Sequence, residues 1–310
     1  MLAIIGFGDH VKRNILPVLK KLQEVSVKYI VVRNVLKYSD NNDFSFISDF
    51  SKVLEDKEIT SVYVATPIQC HYKFVEKALI AGKNVLCEKS LTSNFKDSQK
   101  LVELAKFKNV KLQEVVMYQF HEQFRWIKNY LEKSTNARLI KVHSSFQIPH
   151  LGPENIRYSK SMGGGALLDV GFYPLSMLIS LLGVPENVKS SLITQKNYNV
   201  DLSGVAILTY GEVYAVAEWG IGRLYENGTT LEFEDHKVVV ERAFSKPSSL
   251  QTKITITKNS GDKESILINP DDHFYNLFAN FFNNNNNAPQ HLNNIIERAK
   301  LIETIKTNSL

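Results

Sequence analysis

The first third of the chain alternates short apolar segments with longer segments in which apolar residues recur at helical spacing. Five apolar runs predict buried β-strands: Leu2–Gly6, Val27–Val32, Ser61–Ala65, Asn84–Cys87 and Val110–Val116. The intervening segments predict helices at about 9–23, Phe46–Leu54, His71–Ala81 and Phe95–Phe107. Strands that alternate with helices in this way are typical of βαβ units. The prediction is therefore an α/β fold whose first domain, residues 1–118, is a Rossmann-type doubly wound parallel sheet.

After about His121 the pattern changes to period-2 alternation of β-branched and aromatic residues. It predicts strands at Leu139–Ile148, Val188–Gln195, Val205–Tyr210, Val213–Trp219, Thr229–Glu234, Lys237–Phe244, Thr252–Lys258 and Ser265–Ile268. Helices are predicted over Glu122–Leu131 and Tyr173–Leu182. Strands joined by short polar turns favour a large, mostly antiparallel sheet. We expect an α+β domain over 119–288 and a carboxyl-terminal helix, 289–310, that packs back on the first domain.

Composition narrows the class of protein without naming a reaction. The chain has 310 residues, enough for two domains, and its 44% hydrophobic and 22% charged content is that of a globular protein. A net charge of +5 without a basic block predicts no nucleic-acid surface. The apolar run Met1–Ile5 is too short for a signal peptide, and Pro174–Val184 is too short to span a bilayer. The two cysteines, Cys70 and Cys87, lack the spacing of a metal or redox motif. We therefore expect a reduced cytoplasmic protein without a membrane partner.

The segment "IIGFGDHVKR" follows the first strand and opens a helix. Gly6 and Gly8 match the first two glycines of the dinucleotide fingerprint, where missing side chains allow a tight turn and close approach of a pyrophosphate. Val11 stands at the third position, so the match is incomplete, and an ordinary tight βα turn remains the alternative. The candidate cofactor contacts in this turn are Gly6, Phe7, Gly8, Asp9 and His10.

Three further strand ends carry polar residues that point to a ligand. The second strand ends in "YIVVRN", with Arg33 and no carboxylate, which favours a 2′-phosphate and therefore NADP over NAD. An exposed arginine that is merely solvated is the alternative. Ligands of doubly wound sheets bind at the carboxyl ends of the strands. The candidates after the third and fourth strands are Thr66, Pro67, His71, Glu88 and Lys89.

Taken together, "GFGDH", "ATPIQCH", "CEKS" and "GGGALLDVGFYP" resemble the glucose–fructose oxidoreductase/inositol dehydrogenase (Gfo/Idh/MocA) family over essentially the whole chain. Within that family, "FQIPHLGPENIRY" and "VVMYQFHEQF" are most similar to the NADPH-dependent nucleotide-sugar 3-ketoreductases. Ser90 replaces the proline usual after Lys89 and is expected to loosen that turn. Tyr173 stands where many members have histidine, and the ketoreductase branch also has tyrosine there.

The resemblance implies that Lys89 and Tyr173 form the catalytic pair, one from each domain. Tyr173 is expected to donate a proton to a carbonyl oxygen, and a nearby ammonium lowers the pKa of a phenol from its usual value of about 10. Lys89 is the candidate ammonium, and it can also donate a hydrogen bond to the carbonyl directly. The alternatives are a core aromatic ring for Tyr173 and a solvated side chain for Lys89.

A second group of residues is expected to contact substrate. The resemblance suggests that Asp169 contacts the sugar or Tyr173, whereas His121 is either a contact or a helix cap. The remaining candidates are Arg157, Tyr158, Tyr225 and Asn227, with an ordinary polar turn as the alternative for the last two. The glycines of 163–165 are expected to let the backbone pass close to a cofactor or substrate.

The predicted function is hydride transfer between a nicotinamide cofactor and a sugar carbonyl or hydroxyl, on a nucleotide-diphosphate keto sugar. NADP is the preferred cofactor and NAD remains possible; no metal site emerges. One alternative is a dehydrogenase of free sugars, polyols or cyclic diols, and another is a catalytically silent cofactor-sensing regulator. The expected partners are the small-molecule substrate and further copies of the chain in a homodimer or homotetramer.

Overall fold

The computed structural model describes residues 1–41, 43–133, 137–195, 197–283 and 289–308. They form two compact units, the first with Met1–Val116 and Phe274–Ile296 and the second with Met117–His273 and Glu297–Leu310. Each unit is built on one sheet.

The first unit is a doubly wound parallel sheet, as predicted. Its strands are β1 (Leu2–Ile5), β2 (Val27–Val31), β3 (Ser45–Ile47), β4 (Ser61–Val64), β5 (Asn84–Cys87) and β6 (Leu112–Glu114), in the order β3-β2-β1-β4-β5-β6. The helices among them are α1 (Leu16–Lys21), α2 (Ser51–Glu55), α3 (Ile68–Ile80) and α4 (Phe95–Lys108). Every residue of β1 and β4 is buried, because helices cover both faces of such a sheet. The strand order reverses between β1 and β4, and ligands of this fold bind at that point.

The predicted helix Phe46–Leu54 is wrong in its first half. Residues 45–47 form the edge strand β3, which pairs in parallel with β2 through Phe46 and Ile30. Only after Asp49, whose carboxylate accepts hydrogen bonds from the backbone N–H and hydroxyl of Ser51, does the chain turn into α2. Pairing with the open edge of β2 overrides the local apolar pattern, which does not separate a short strand from a helix.

The second unit is built on an eight-stranded sheet. Its strands are β7 (Leu139–Ile148), β8 (Asn187–Thr194), β9 (Asp201–Tyr210), β10 (Val213–Ile221), β11 (Glu226–Phe233), β12 (His236–Glu241), β13 (Thr252–Lys258) and β14 (Lys263–Ile268). Their order is β14-β13-β12-β11-β7-β10-β9-β8, and only β7 and β10 pair in parallel. Helix α5 (Glu122–Lys133) precedes the sheet, and α6 (Phe172–Leu182) lies between β7 and β8 in sequence. The predicted mostly antiparallel sheet is confirmed.

Helix α6 reaches the sheet because two glycines leave room for an indole ring. A Cβ at Gly171 would lie 2.9 Å from Cγ of Trp219, and one at Gly204 would lie 2.5 Å from its Cζ2. The helical stretch Lys160–Leu182 is long and apolar enough for a membrane span, but 72% of its most apolar window is buried inside the protein. That burial is typical of a core helix, and α6 fills this role in the second unit.

The carboxyl-terminal helices divide between the units at positions other than the predicted boundary at 288. Helix α7 (His273–Asn283) belongs mainly to the first unit, where the ring of Phe278 lies 5.3 Å from that of Tyr63 in β4. Helix α8 (Pro289–Asn308) contributes Leu292 and Ile295 to the first core. Its last part belongs to the second unit, where the guanidinium of Arg298 lies 5.8 Å from the ring of Phe172.

Candidate active site

The glycine turn after β1 has the geometry that a dinucleotide requires. Gly6 has φ +96°, and a Cβ there would lie 2.6 Å from the carbonyl oxygen of Ala65, so only glycine fits. Gly8 is exposed, with open space where a Cβ would stand. Next to Gly6, the hydroxyl oxygen of Thr66 is buried and has no hydrogen-bond partner among the described residues. A glycine cradle beside an orphaned polar atom fits a bound cofactor.

The third fingerprint position explains why the motif is incomplete here. Val11 is 1% exposed and begins a π-helical turn, Val11–Ile15, that leads directly into α1. Its side chain therefore belongs to the core. Asp9 is exposed and lies 4.0 Å from Arg13, one helical turn further on.

Beyond the end of β2 lies a cluster of aromatic rings that the sequence analysis missed. The ring of Phe7 lies 5.4 Å from that of Tyr38 and 5.1 Å from that of Phe46. The ammonium of Lys12 lies 5.2 Å from the Phe7 ring. Arg33 is exposed, with no ion-pair partner among the described residues. This end of β2 is thus cationic and aromatic, without a carboxylate bound to Arg33.

Glu88 joins the glycine turn to the end of β5. Its Oε1 accepts a hydrogen bond from the Tyr63 hydroxyl at 2.6 Å and lies 3.1 Å from Nε2 of His10. Burial favours the neutral acid, but the charge and hydrogen bond of His10, the Tyr63 hydroxyl and the charge of Lys89 outweigh it and lower the pKa of Glu88. Glu88 is therefore an ionised, enclosed carboxylate directly before Lys89.

His71 and Glu114 hold the segment that carries Lys89. His71 is fully buried, with Nδ1 2.9 Å from the Ser90 carbonyl oxygen and Nε2 2.7 Å from that of Thr66. Burial lowers the pKa of His71, against these two acceptors. The Glu114 carboxylate accepts the Leu91 N–H at 2.6 Å. These contacts hold the turn around Ser90, and they occupy both ring nitrogens of His71 with backbone carbonyls.

Pro67 also lies at this edge of the sheet. It directly precedes α3 and is partly exposed, as is Lys89 after β5. Pro67 and Lys89 thus lie beyond the carboxyl ends of the neighbouring parallel strands β4 and β5.

In the second unit, aromatic rings surround Tyr173. Its ring lies 5.2 Å from that of Phe146, 5.7 Å from that of Phe244 and 6.4 Å from that of Tyr118. Tyr173 is 9% exposed, one residue into α6. The π-helical turn Leu167–Gly171 leads into that helix, and such turns are frequent at functional sites. The packed rings hold the phenol in one orientation.

Asp169 lies in the same π-helical turn and is held by an arginine. Nε of Arg157 donates a hydrogen bond to Oδ2 of Asp169, whose side chain is 16% exposed. Burial favours the neutral form of Arg157. The charge and hydrogen bond of Asp169, and then the charges of Tyr173 and Tyr158, outweigh this effect and raise the pKa of the guanidinium. Arg157, a candidate substrate contact, fixes and neutralises Asp169 in the structure.

The glycine run contacts its own chain. A Cβ at Gly164 would lie 2.5 Å from the carbonyl oxygen of Arg157, and the Gly165 N–H donates to that oxygen at 2.9 Å. Gly165 has φ +118° and lies against the carboxylate of Asp201, which accepts the Leu167 N–H at 2.6 Å. Gly164 and Gly165 thus let the loop fold over Arg157 and the helix start on Asp201.

His121 caps α5. Its ring is fully buried, and Nδ1 accepts the Gln123 N–H at 3.0 Å. Burial, then the charge of Lys246, lowers the pKa of His121 to about 4. The structure thus shows the helix cap at Nδ1, while the buried Nε2 has no hydrogen-bond partner among the described residues.

The remaining substrate candidates fall into two groups. The Tyr158 hydroxyl accepts the Leu151 N–H at 2.9 Å and fixes the loop before the glycine run. Asn227 is 7% exposed, and its amide binds backbone groups of Phe244 and Ser245 at 2.8 Å each, which makes it a loop anchor. Tyr225 is 45% exposed and remains open to a ligand. Among the described residues, no group of three or more His, Cys, Asp or Glu is arranged to hold a metal ion.

Comparison with known proteins agrees with this geometry. Residues 1–115 match the model of an oxidoreductase family with an NAD-binding Rossmann fold, and residues 124–237 match the GFO/IDH/MocA carboxyl-terminal domain. A dTDP-3,4-didehydro-2,6-dideoxy-alpha-D-glucose 3-reductase of Saccharopolyspora spinosa is 31% identical, over 83% of this chain and 79% of its own. The enzyme of that name from Streptomyces antibioticus is 27% identical, over 97% and 94%.

A solved structure extends the similarity to the whole fold. KijD10, a 3-ketoreductase from Actinomadura kijaniata in complex with NADP and TDP-benzene, superposes with a TM-score of 0.92. It is 25% identical, and the match covers 99% of this chain and 97% of KijD10. Since the two family models together match more than half of the chain, and a relative that is 31% identical covers 83% of it, this protein is an oxidoreductase that belongs to the Gfo/Idh/MocA family.

Proposed function

We propose that the chain is an NADPH-dependent ketoreductase that reduces a keto sugar carried on a nucleoside diphosphate. The observation that carries this proposal is the similarity, through both units, to 3-reductases of dTDP-linked keto sugars. Tyr173, in place of the histidine common in the wider family, agrees with that branch. A dTDP-linked 3-keto sugar is accordingly the first candidate substrate.

The end of β2 supports NADPH as the reductant. The Gly6–Gly8 turn and the orphaned Thr66 hydroxyl accommodate the dinucleotide, and Arg33 offers a cation where NAD-specific domains offer a carboxylate. Phe7, Asp9, His10, Pro67 and Glu88 complete the proposed cofactor region, with His71 behind it. When bound, NADPH supplies the hydride that adds to the carbonyl carbon.

The proton for the carbonyl oxygen comes, in this proposal, from Tyr173. Its ring is fixed by Phe146 and Phe244, so that its hydroxyl has a defined direction. Asp169, held by Arg157, orients the sugar near that hydroxyl. Lys89 supplies the positive charge that makes the phenol a stronger acid, or donates a hydrogen bond to the carbonyl oxygen itself. The products are the secondary alcohol and the oxidised cofactor.

We further propose a cytoplasmic homodimer or homotetramer. Both cysteines are free thiols in the structure, which agrees with a reducing compartment. Strands β8, β9 and β10 expose Ile193, Ile207 and Tyr214, an apolar group that a second copy can cover. Light scattering coupled to size-exclusion chromatography tests this assembly, and a monomer at working concentration contradicts it.

The test of function is a substrate panel with the purified protein. NADPH oxidation is followed with dTDP-linked 3-keto sugars, the UDP-linked equivalents, and free keto sugars and inososes. We expect turnover only with the nucleotide-linked compounds. Turnover with free sugars alone selects the dehydrogenase alternative, and cofactor binding without turnover of any member selects the cofactor-sensing regulator.

A further inference from the structure

One arginine of the second unit is held in place without an acidic partner. Arg242 follows β12, and its Nη1 donates a hydrogen bond to the Tyr225 hydroxyl at 2.7 Å. Its guanidinium carbon lies 4.7 Å from the centre of the Tyr225 ring. Arg242 is exposed and makes no ion pair with any described residue. A guanidinium fixed on a ring, with donors left over, suits the bidentate recognition of phosphate.

The backbone at Arg242 adopts a conformation that arginine rarely takes. Its φ is +52°, in the left-handed region, and the other described non-glycine residue with positive φ is Asn109, which ends α4. Asparagine tolerates this region, whereas arginine gains nothing locally from it. Strained residues of this kind persist where the surrounding structure imposes them, often at ligand sites.

The surrounding structure does impose it, through Asn227. The Phe244 N–H donates to the Asn227 side-chain oxygen at 2.8 Å, and the Asn227 amide donates to the Ser245 carbonyl at 2.8 Å and to the Tyr225 hydroxyl at 3.0 Å. One buried amide thus holds both the loop after Arg242 and the ring under its guanidinium. The pair is ordered before any ligand arrives.

A row of rings connects this pair to the proposed proton donor. The Phe146 ring lies 5.2 Å from that of Tyr173 and 6.4 Å from that of Tyr225. The Tyr225 ring under Arg242 and the Tyr173 ring are thus both neighbours of Phe146, all within the second unit. In a nucleotide sugar, the diphosphate is attached one sugar ring away from a ketone at C3, a separation of the same scale.

We propose that Arg242, mounted on Tyr225, binds the diphosphate of the nucleotide-sugar substrate and so selects it over a free sugar. This inference rests on the proposed function, since it names the residue that recognises the substrate's phosphates. Tyr225 acts as the support for the guanidinium and as a flat surface beside it.

The test measures nucleotide binding by calorimetry, without turnover. Thymidine 5′-diphosphate, thymidine 5′-monophosphate and NADPH are titrated separately into wild type, Arg242→Asn and the control Arg138→Asn. Asparagine at 242 keeps the left-handed backbone, so the variant is expected to fold, as circular dichroism will verify. Arg138 is an exposed arginine before β7 that pairs with Glu212 and Glu234, and its variant makes the same change of charge.

We expect Arg242→Asn to weaken thymidine diphosphate binding about tenfold to hundredfold, as for the loss of a charge-assisted hydrogen bond. Binding of the monophosphate should weaken less, and that of NADPH should not change. In turnover, KM for the nucleotide sugar should rise with little change in kcat, because the phosphates do not react. Arg138→Asn should bind all three ligands as wild type does.

Three results would overturn the inference, and the first two separate it from the proposed function. If wild type binds thymidine diphosphate and Arg242→Asn binds it equally well, this assignment falls while the ketoreductase proposal stands. If Arg242→Asn loses NADPH affinity instead, Arg242 belongs to the cofactor site. If wild type binds no thymidine nucleotide and reduces no nucleotide sugar, both proposals fall together.

Discussion

Two histidines and a lysine are buried close together in the second unit, and they predict how the stability of the protein depends on pH. His121 and His273 are 0% and 3% exposed, with ring centres 6.0 Å apart, and the Lys246 ammonium donates to the Gln123 side chain at 2.9 Å. Burial and mutual repulsion lower the pKa values, to about 4 for His121 and about 3 for His273. Asp271 opposes this shift and Arg125 adds to it at His121.

The sign follows from which state binds the proton. The unfolded chain protonates these rings near pH 6.5, whereas the folded protein keeps them neutral until about pH 4 for His121. Stability is therefore unaffected by His121 above pH 6.5 and falls as the pH drops toward 4. The pKa shift of His121 corresponds to about 3 kcal/mol of unfolding free energy lost at low pH. The unfolding free energy falls by up to about 1.4 kcal/mol per pH unit in this range.

The perturbation is His121→Asn, because an asparagine oxygen can accept the Gln123 N–H in place of Nδ1. Urea unfolding is followed by tryptophan fluorescence, which reports on the second unit because Trp126 and Trp219 are the chain's two tryptophans. We expect the unfolding free energy of the variant to depend less steeply on pH between 4 and 6.5, by the uptake of about one proton on unfolding. Comparison above pH 7 isolates the packing change. An unchanged dependence of the unfolding free energy on pH would contradict a lowered pKa at His121.

Three further predictions concern the cofactor, the glycine run and the loop after Arg242. Arg33→Asp should weaken NADPH binding about tenfold to hundredfold and leave NADH binding unharmed, as measured by nicotinamide fluorescence; an equal loss for both contradicts the 2′-phosphate assignment. Gly165→Ala should lower the unfolding free energy by about 2 kcal/mol or more, since its φ is +118° and Asp201 occupies the Cβ position; urea unfolding within error of wild type would contradict it. Asn227→Ala should cost about 2 kcal/mol and raise KM for the nucleotide sugar, because the Phe244 N–H loses its partner and the Tyr225 ring under Arg242 loses its anchor; a variant as stable as wild type with an unchanged KM would contradict it.

The fold was largely predictable from the sequence because its signals are local and strong. The apolar runs of β1 and β4 and the alternation in β9 and β10 determine which residues can be buried. The edge strand β3 was not predictable, since its pairing depends on the open side of β2. Likewise, the sequence indicates at Gly164 and Gly165 that another group lies close to the backbone, but it does not identify that group.

The candidate site was predictable in its residue types and less so in its contacts. Motif positions brought Lys89, Glu88, Asp169 and Tyr173 to attention. The pairing of Asp169 with Arg157 and the orientation of Arg242 depend on chain segments brought together only by folding. A residue's partner at long sequence separation has no local signal, and this explains why Arg242 was missed.

The most direct test of the account is single-turnover reduction of a dTDP-linked 3-keto sugar by NADPH in wild type, Tyr173→Phe and Lys89→Ala. We expect the rate of hydride transfer to fall about 10²- to 10⁴-fold in Tyr173→Phe. Affinity for thymidine diphosphate should stay within about twofold of wild type, since only the proton donor is removed. A Tyr173→Phe protein that transfers hydride at the wild-type rate would contradict the assignment of Tyr173 as the proton donor.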